Sequence, residues 1–200
     1  IKSEEIEKLS RTDGLTELYN RRYFEEIFTY QWKEAVRNAV PISLIIGDID
    51  FFKQINDSHG HQAGDAFLQK TAALLRGIMK RQTDIIARYG GEEFVVLTLN
   101  SDPDKTWEQA ETIRKEIERM RLPYNNTYLQ ATISLGAVCC VPGKDDRKED
   151  FLKKADDALY QAKNNGRNRL VFQADTPFTA DSNRTSLQPP PSNKYFTKDD

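Results

Sequence analysis

The stretch Ile85–Leu99 (IIARYGGEEFVVLTL) decides how the rest of the chain is read. Two β-rich runs, Ile85–Tyr89 and Glu92–Leu99, are separated only by Gly90-Gly91. A two-residue Gly-Gly connection predicts a hairpin on a primed turn, whose central residues need positive φ. Upstream, Ile42–Ile49 (ISLIIGDI) is nearly all apolar and reads as a central strand covered on both faces. Between strand and hairpin, Phe67, Leu68, Thr71, Ala72, Leu75, Ile78 and Met79 recur at helical spacing, with Asp65 as a plausible cap.

Before the central strand, Tyr23, Phe24, Ile27, Phe28, Gln31 and Ala35 mark an earlier helix capped by Asn20. Trp107, Ala110, Ile113, Ile117 and Met120 mark a helix after the hairpin, and Gln130–Val141 a further strand. Phe151, Leu152, Ala155, Ala158, Leu159 and Ala162 mark a last helix that ends near Gly166, followed by an edge strand over Arg169–Phe172. The order β-α-β-β-α-β lies inside this pattern, which predicts an α+β domain with helices over a largely antiparallel sheet.

Residues 1–12 read as the end of an incoming helix, 13–172 as the domain, and 173–200, with Pro189-Pro190-Pro191, as a disordered polar tail. In 200 residues, 29 Lys and Arg against 31 Asp and Glu leave a net charge of −2. That excludes a generally basic binder of nucleic acid polymers. An anionic ligand must then be held by local cations, backbone amides or a metal. No apolar run is long enough to cross a bilayer, so no membrane contact is expected of residues 1–200. Cys139 and Cys140 are neighbours, in no metal-ligand spacing, and read as small buried side chains in a reducing compartment.

Asp48 and Asp50 flank Ile49 at the end of the central strand, and Glu92 and Glu93 follow the Gly-Gly turn. If the hairpin pairs with that strand, carboxylates from both meet at one sheet edge. Like charges at close range call for a compensating cation. Hard oxygen donors without His or Cys point to Mg²⁺ or Mn²⁺, ions that commonly serve phosphate chemistry. Spacing alone leaves open the alternative that these are solvated residues at a turn.

The string Arg88-Tyr89-Gly90-Gly91-Glu92-Glu93-Phe94 resembles the signature of GGDEF-domain diguanylate cyclases in its GGEEF form. Asp13–Arg22 (DGLTELYNRR), Asp48–Asp65 (DIDFFKQINDSHGHQAGD), Ile133–Gly136 (ISLG) and Ala155–Asn168 (ADDALYQAKNNGRN) resemble further family blocks, in family order. The resemblance implies a ferredoxin-like βαββαβ palm like that of nucleotidyl cyclases. It also implies condensation of two GTP into cyclic di-GMP, with release of two pyrophosphates, by a homodimer in which each domain binds one GTP. The protein would work in the cytoplasm, either free or as the cytoplasmic part of a membrane-anchored protein.

Carried over by position, the resemblance implies metal binding by Asp48, the Ile49 carbonyl, Glu92 and Glu93. Glu92 would also accept the proton of the attacking hydroxyl. Strand alternation sends Glu92 and Glu93 to opposite faces, and Glu92 is the favoured ligand. Lys53 would steady phosphate charge. Phe51 and Phe52 would offer backbone amides and an apolar wall, and Gly90 and Gly91 a close backbone approach. Asp65 and Asn56 would read guanine, whose N1–H and N2–H₂ donors suit a carboxylate; the plain readings are a helix cap and a turn. His61 is either a nucleotide contact or a surface loop residue. Lys163 and Arg167 suit a helix C-terminus anyway, and the resemblance adds a grip on the β- and γ-phosphates. Arg81 and Asp84, in Arg81-Gln82-Thr83-Asp84, match an RxxD site where the product binds and inhibits. Glu17 stands where the family pattern has Gly, a departure that bears on loop geometry. The rival readings are a catalytically silent GTP or cyclic di-GMP binding module, which predicts loss of the signature acids, and a cyclase for another base, which predicts an altered Asn56 and Asp65 pair.

Overall fold

The computed structural model describes residues 11–175. Residues 1–10 of the expected incoming helix, and the tail beyond Asp175, lie outside the described residues. Eight strands and five helices follow in chain order there: β1 (Tyr19–Asn20), α1 (Arg21–Asn38), β2 (Ile42–Ile49), α2 (Phe52–His59), α3 (His61–Ile78), β3 (Ile85–Arg88), β4 (Glu93–Leu99), α4 (Pro103–Arg119), β5 (Leu122–Tyr124), β6 (Thr127–Leu129), β7 (Ile133–Cys140), α5 (Lys148–Asn164) and β8 (Leu170–Asp175). The main sheet runs β1-β3-β4-β2-β7-β8, and β5 pairs β6 separately. Its central pairings are antiparallel, and the two outer ones, β1 with β3 and β7 with β8, are parallel. The inner order β3-β4-β2-β7 is the ferredoxin-like arrangement. The expected α+β class and mostly antiparallel sheet hold.

Alternation along β2 builds two cores. Ile45 and Ile49 face Phe67, Leu68, Ile113 and Ile117 of α3 and α4. Ile42, Leu44 and Ile46 face Phe24, Phe28 and Trp32 of α1 and Phe151 and Leu159 of α5. A strand buried on both faces has no polar side to show, which is why its sequence is continuously apolar. Asn20 caps α1 as expected, its side chain accepting from the Tyr23 amide. Gly136 on β7 lets α5 approach closely, because a Cβ there would collide with backbone atoms of Ala155 and Leu159.

Four expectations change. Asp65 does not cap its helix, since α3 begins four residues earlier at His61 after Gly60, whose φ of 86° breaks the chain direction. Asn56 and Asp57 lie in α2 and not in a turn. The hairpin forms, but β3 ends at Arg88 and β4 starts at Glu93, and neither Gly90 nor Gly91 adopts positive φ. A four-residue connection removes the need for a primed turn. Glycine serves space there, because a Cβ on Gly90 would run into the Glu93 carboxylate. Finally, Cys139 is buried but Cys140 only half-buried, and both are unbridged.

Candidate active site

The hairpin packs on β2 so that Asp48 lies directly opposite Glu93. Both side chains therefore leave the sheet on the face covered by α1 and α5. From the end of α5, the Lys163 ammonium reaches Asp48 at 2.7 Å. Burial pushes the Glu93 carboxyl above its ordinary range, the charge of Asp48 adds to that, and Lys163 opposes it. Glu92 precedes the strand, half-buried, and its carbonyl accepts from the Ile49 amide at 3.3 Å. The two signature acids are thus inequivalent, and the one beside Asp48 is Glu93. Among the described residues no three His, Cys, Asp or Glu side chains already form a metal-holding group. The donor set nevertheless fits a hard divalent cation: two facing carboxylates, one of them raised by burial and by the other's charge, with an ammonium in the place of positive charge.

Asp50 is not part of this acid edge. The strand ends at Ile49, and Asp50 turns inward to 3% exposure, accepting from Thr132 Oγ1 and Ser134 Oγ, both at 2.7 Å, and from the Asn168 amide at 3.0 Å. Just after it, Phe51 takes φ 56° as the residue that opens α2, with its ring exposed. Arg167 takes φ 58° and sets its guanidinium 4.6 Å from the centre of that ring. Left-handed backbone costs a non-glycine residue about 1–2 kcal/mol, so both loops need external support. Phe52 is buried in the core against α3, so Phe51 alone of this pair offers an exposed ring.

Lys53 is exposed on the first turn of α2, and His61 and Asp65 are exposed on α3. His61 opens a helix and does not sit in a surface loop. Half-buried Asn56 packs its amide oxygen against Gly64, the residue before Asp65, and a Cβ on Gly64 would strike both Asn56 and Phe52. Nothing in the apolar spacing of α3 marks Gly64 as a space-making residue, so sequence reasoning passed over it.

A clamp on the signature turn was also missed. Arg88 donates to the Gly91 carbonyl from Nε at 3.1 Å and Nη2 at 2.7 Å, and to Asp13 from Nη1 at 3.2 Å. Asp13 is fixed in turn by the amide and hydroxyl of Thr16. Burial raises the Asp13 carboxyl, but the bonds from Thr16 and Arg88 outweigh it and hold the group below its ordinary range. The local signal was the Asp-x-x-Thr spacing of a side-chain-closed turn. On the other flank, Tyr89 donates to Glu25 at 2.8 Å under the Arg21 guanidinium. Burial and the Glu25 charge push the Tyr89 hydroxyl up to about 12.

Arg81 and Asp84 close a separate turn ahead of β3. The Arg81 amide donates to Asp84 Oδ2 at 3.2 Å, and the Asp84 amide to the Arg81 carbonyl at 3.0 Å. The Arg81 side chain is exposed, whereas Asp84 is buried with Oδ1 unpartnered. Burial raises the Asp84 carboxyl against the pull of Arg81 and Lys105.

A family model described as the diguanylate cyclase GGDEF domain matches residues 10–169. The chain is 35% identical over 177 residues to diguanylate cyclase A of Treponema denticola, covering 86% of this chain and 47% of that one. It is 40% identical over 169 residues to the response regulator PleD of Caulobacter vibrioides, covering 84% and 37%. It thus spans less than half the length of these curated relatives. Among solved structures, the coiled coil and GGDEF domain of DgcB from Caulobacter crescentus, in complex with c-di-GMP, aligns with a TM-score of 0.80 at 30% identity, over 86% of this chain and 90% of that one. The active GGEEF domain of a diguanylate cyclase from Vibrio cholerae aligns with a TM-score of 0.71 at 32% identity, over 78% and 98%. With the family model covering all of the described unit except its last strand, β8, and the acids standing at the edge of its sheet, the chain belongs to the GGDEF family of diguanylate cyclases.

Proposed function

We propose that this chain catalyses condensation of two GTP into cyclic di-GMP and two pyrophosphates, working as a homodimer. The observation that carries the reading is Asp48 facing Glu93 across β2 and β4, with Lys163 at 2.7 Å. Mg²⁺ or Mn²⁺, held by Asp48, the Ile49 carbonyl, Glu92 and Glu93, supplies charge neutralisation on the phosphates when bound.

The chain's own groups do the positioning, the larger part of an in-line displacement at phosphorus. Asp65 and Asn56 accept from and orient the guanine edge. The Phe51 and Phe52 amides and the Lys53, Lys163 and Arg167 cations hold the triphosphate, which competes with Asp48 for the Lys163 ammonium. Each ribose 3′-oxygen forms a bond to the partner nucleotide's α-phosphorus as the bond to the pyrophosphate oxygen breaks. Glu92 takes the hydroxyl proton. The bonds from Arg88 to the Gly91 carbonyl tie the turn that carries Glu92 to the end of β3. GTP as substrate places the working site in the cytoplasm. Among the described residues no helix is long and apolar enough to cross a membrane.

Product feedback is assigned to Arg81 and Asp84. An exposed guanidinium can pair with a guanine Hoogsteen edge or a phosphate, and the Asp84 oxygen, buried in this conformation, accepts from guanine once the turn that covers it opens. DgcB in complex with c-di-GMP supports product binding by this fold.

The test is product analysis by chromatography after incubation with Mg²⁺ and either GTP or ATP. Cyclic di-GMP from GTP alone, lost in Glu92→Gln, is expected. A binding module would return GTP unchanged, and a cyclase of another specificity would consume ATP.

A further inference from the structure

We propose that Asp50 is a positioning residue for the nucleotide: its buried carboxyl locks the turn carrying Arg167 against the loop carrying Phe51. The proposal rests on reading Arg167 as a triphosphate ligand.

Asp50 occupies the point where three segments meet. Its Oδ1 accepts from Ser134 and its Oδ2 from Thr132, which ties the end of β2 to the start of β7. The same Oδ2 accepts from the Asn168 backbone amide, 118 residues away in sequence, and its own amide donates to the Thr132 carbonyl at 2.8 Å. None of these partners belongs to the acid edge of Asp48, Glu92 and Glu93. On either side of this hub the backbone is left-handed at residues other than glycine: Phe51 at 56°, Arg167 at 58° and Asn168 at 45°. Such conformations persist only where surrounding contacts over-determine them.

Asn168 is held from a second side, accepting from Arg114 at 3.0 Å and donating to Glu118 at 2.6 Å. Arg167 itself is exposed, and its guanidinium rests on the Phe51 ring. A long side chain on a free turn would sample many positions before meeting a phosphate. With Asn168 pinned to Asp50, and Phe51 only one residue past it, cation and ring are presented together from one anchor. Asp50 therefore acts through Arg167 without touching the nucleotide.

A double-mutant cycle on the full chain tests this, reading KM for GTP and kcat separately at fixed protein concentration. Asp50→Ala and Arg167→Ala should each raise KM about tenfold while kcat falls less than about threefold. Together they should raise KM no more than either alone, because one effect runs through the other. Asp50→Asn keeps an acceptor for Asn168, and the Ser134 hydroxyl can turn to accept, so KM should return to within about threefold of the parent. If Asp50→Ala does not fold, Ser134→Ala and Thr132→Val each remove one of its bonds, and the same cycle is run with them. Additive effects, with the double variant near a hundredfold, overturn the proposal, as does a fall in kcat with KM unmoved. If Arg167→Ala raises KM and Asp50→Ala does not, this inference fails alone. If Arg167→Ala leaves KM unchanged, the assignment of Arg167 falls and takes the proposal with it.

Discussion

Replacing Glu93 by Gln removes one of two facing carboxylates while keeping the size of the side chain. In the parent, burial first and the Asp48 charge second raise the Glu93 carboxyl, and Lys163 offsets only part of this. A raised acid holds its proton more tightly in the folded state than in the unfolded chain. Its contribution to stability is therefore complete below the ordinary glutamate value and is lost as the pH climbs through the raised one. At neutral pH the ionised pair works against folding. Like charges directly opposite in a sheet cost on the order of 0.2–1 kcal/mol, and in a domain of this size each kcal/mol moves Tm by about 2–4 °C. Without nucleotide, Glu93→Gln should thus melt about 0.4–4 °C above the parent near pH 7.5, and the gain should vanish near pH 4. The same variant should lose cyclic di-GMP synthesis, since charge that destabilises the empty site is what the substrate's ion requires. Paired calorimetric scans at the two pH values decide it. A lower Tm at neutral pH, or a gain that does not change with pH, would refute the electrostatic reading of this edge.

Three further outcomes are expected. Glu17 adopts φ 57° where glycine would be unstrained, and its contact with Arg76, 3.9 Å away, is exposed. Glu17→Gly should therefore raise Tm by about 1–4 °C, through relief of about 0.4–1 kcal/mol, and a lower Tm would contradict this. Gly136→Ala should destabilise by about 1–3 kcal/mol in a denaturant melt, because the added Cβ meets the backbone of α5 and no flexible side chain can yield; an unchanged midpoint would count against that packing. Arg81→Ala should leave initial turnover intact and abolish inhibition by added cyclic di-GMP, whereas unchanged inhibition would remove the Arg81 and Asp84 assignment.

Ile42–Ile49 announced itself because a strand covered on both faces is apolar without interruption. Asn20 and the stripe Phe24, Phe28, Gln31 and Ala35 made α1 plain. The short helix α2 escaped notice because its second half, Asn56-Asp57-Ser58-His59, is composed like a turn. The start of α3 was set too late because His61-Gln62-Ala63-Gly64 carries little apolar pattern, although Ala63 and Gly64 are both buried, Gly64 against Asn56 and Phe52 of α2. The small β5 and β6 hairpin was missed as well, with Pro123 inside it. Asp48 and Asp50 looked alike in sequence, two acids on one strand face. Their fates diverge because the strand ends between them and Asp50 meets partners 82 to 118 residues away. The acids of the signature were legible as types, but which of Glu92 and Glu93 stands by Asp48 depends on cross-strand register.

If two copies of this chain each bring a GTP to the acid edge, the initial rate of product formation from Mg²⁺ and GTP depends on protein concentration. A rate rising faster than linearly, with two pyrophosphates released per cyclic di-GMP, is the predicted result. A strictly linear rate with a mononucleotide product, or no dinucleotide at high protein concentration, would contradict it.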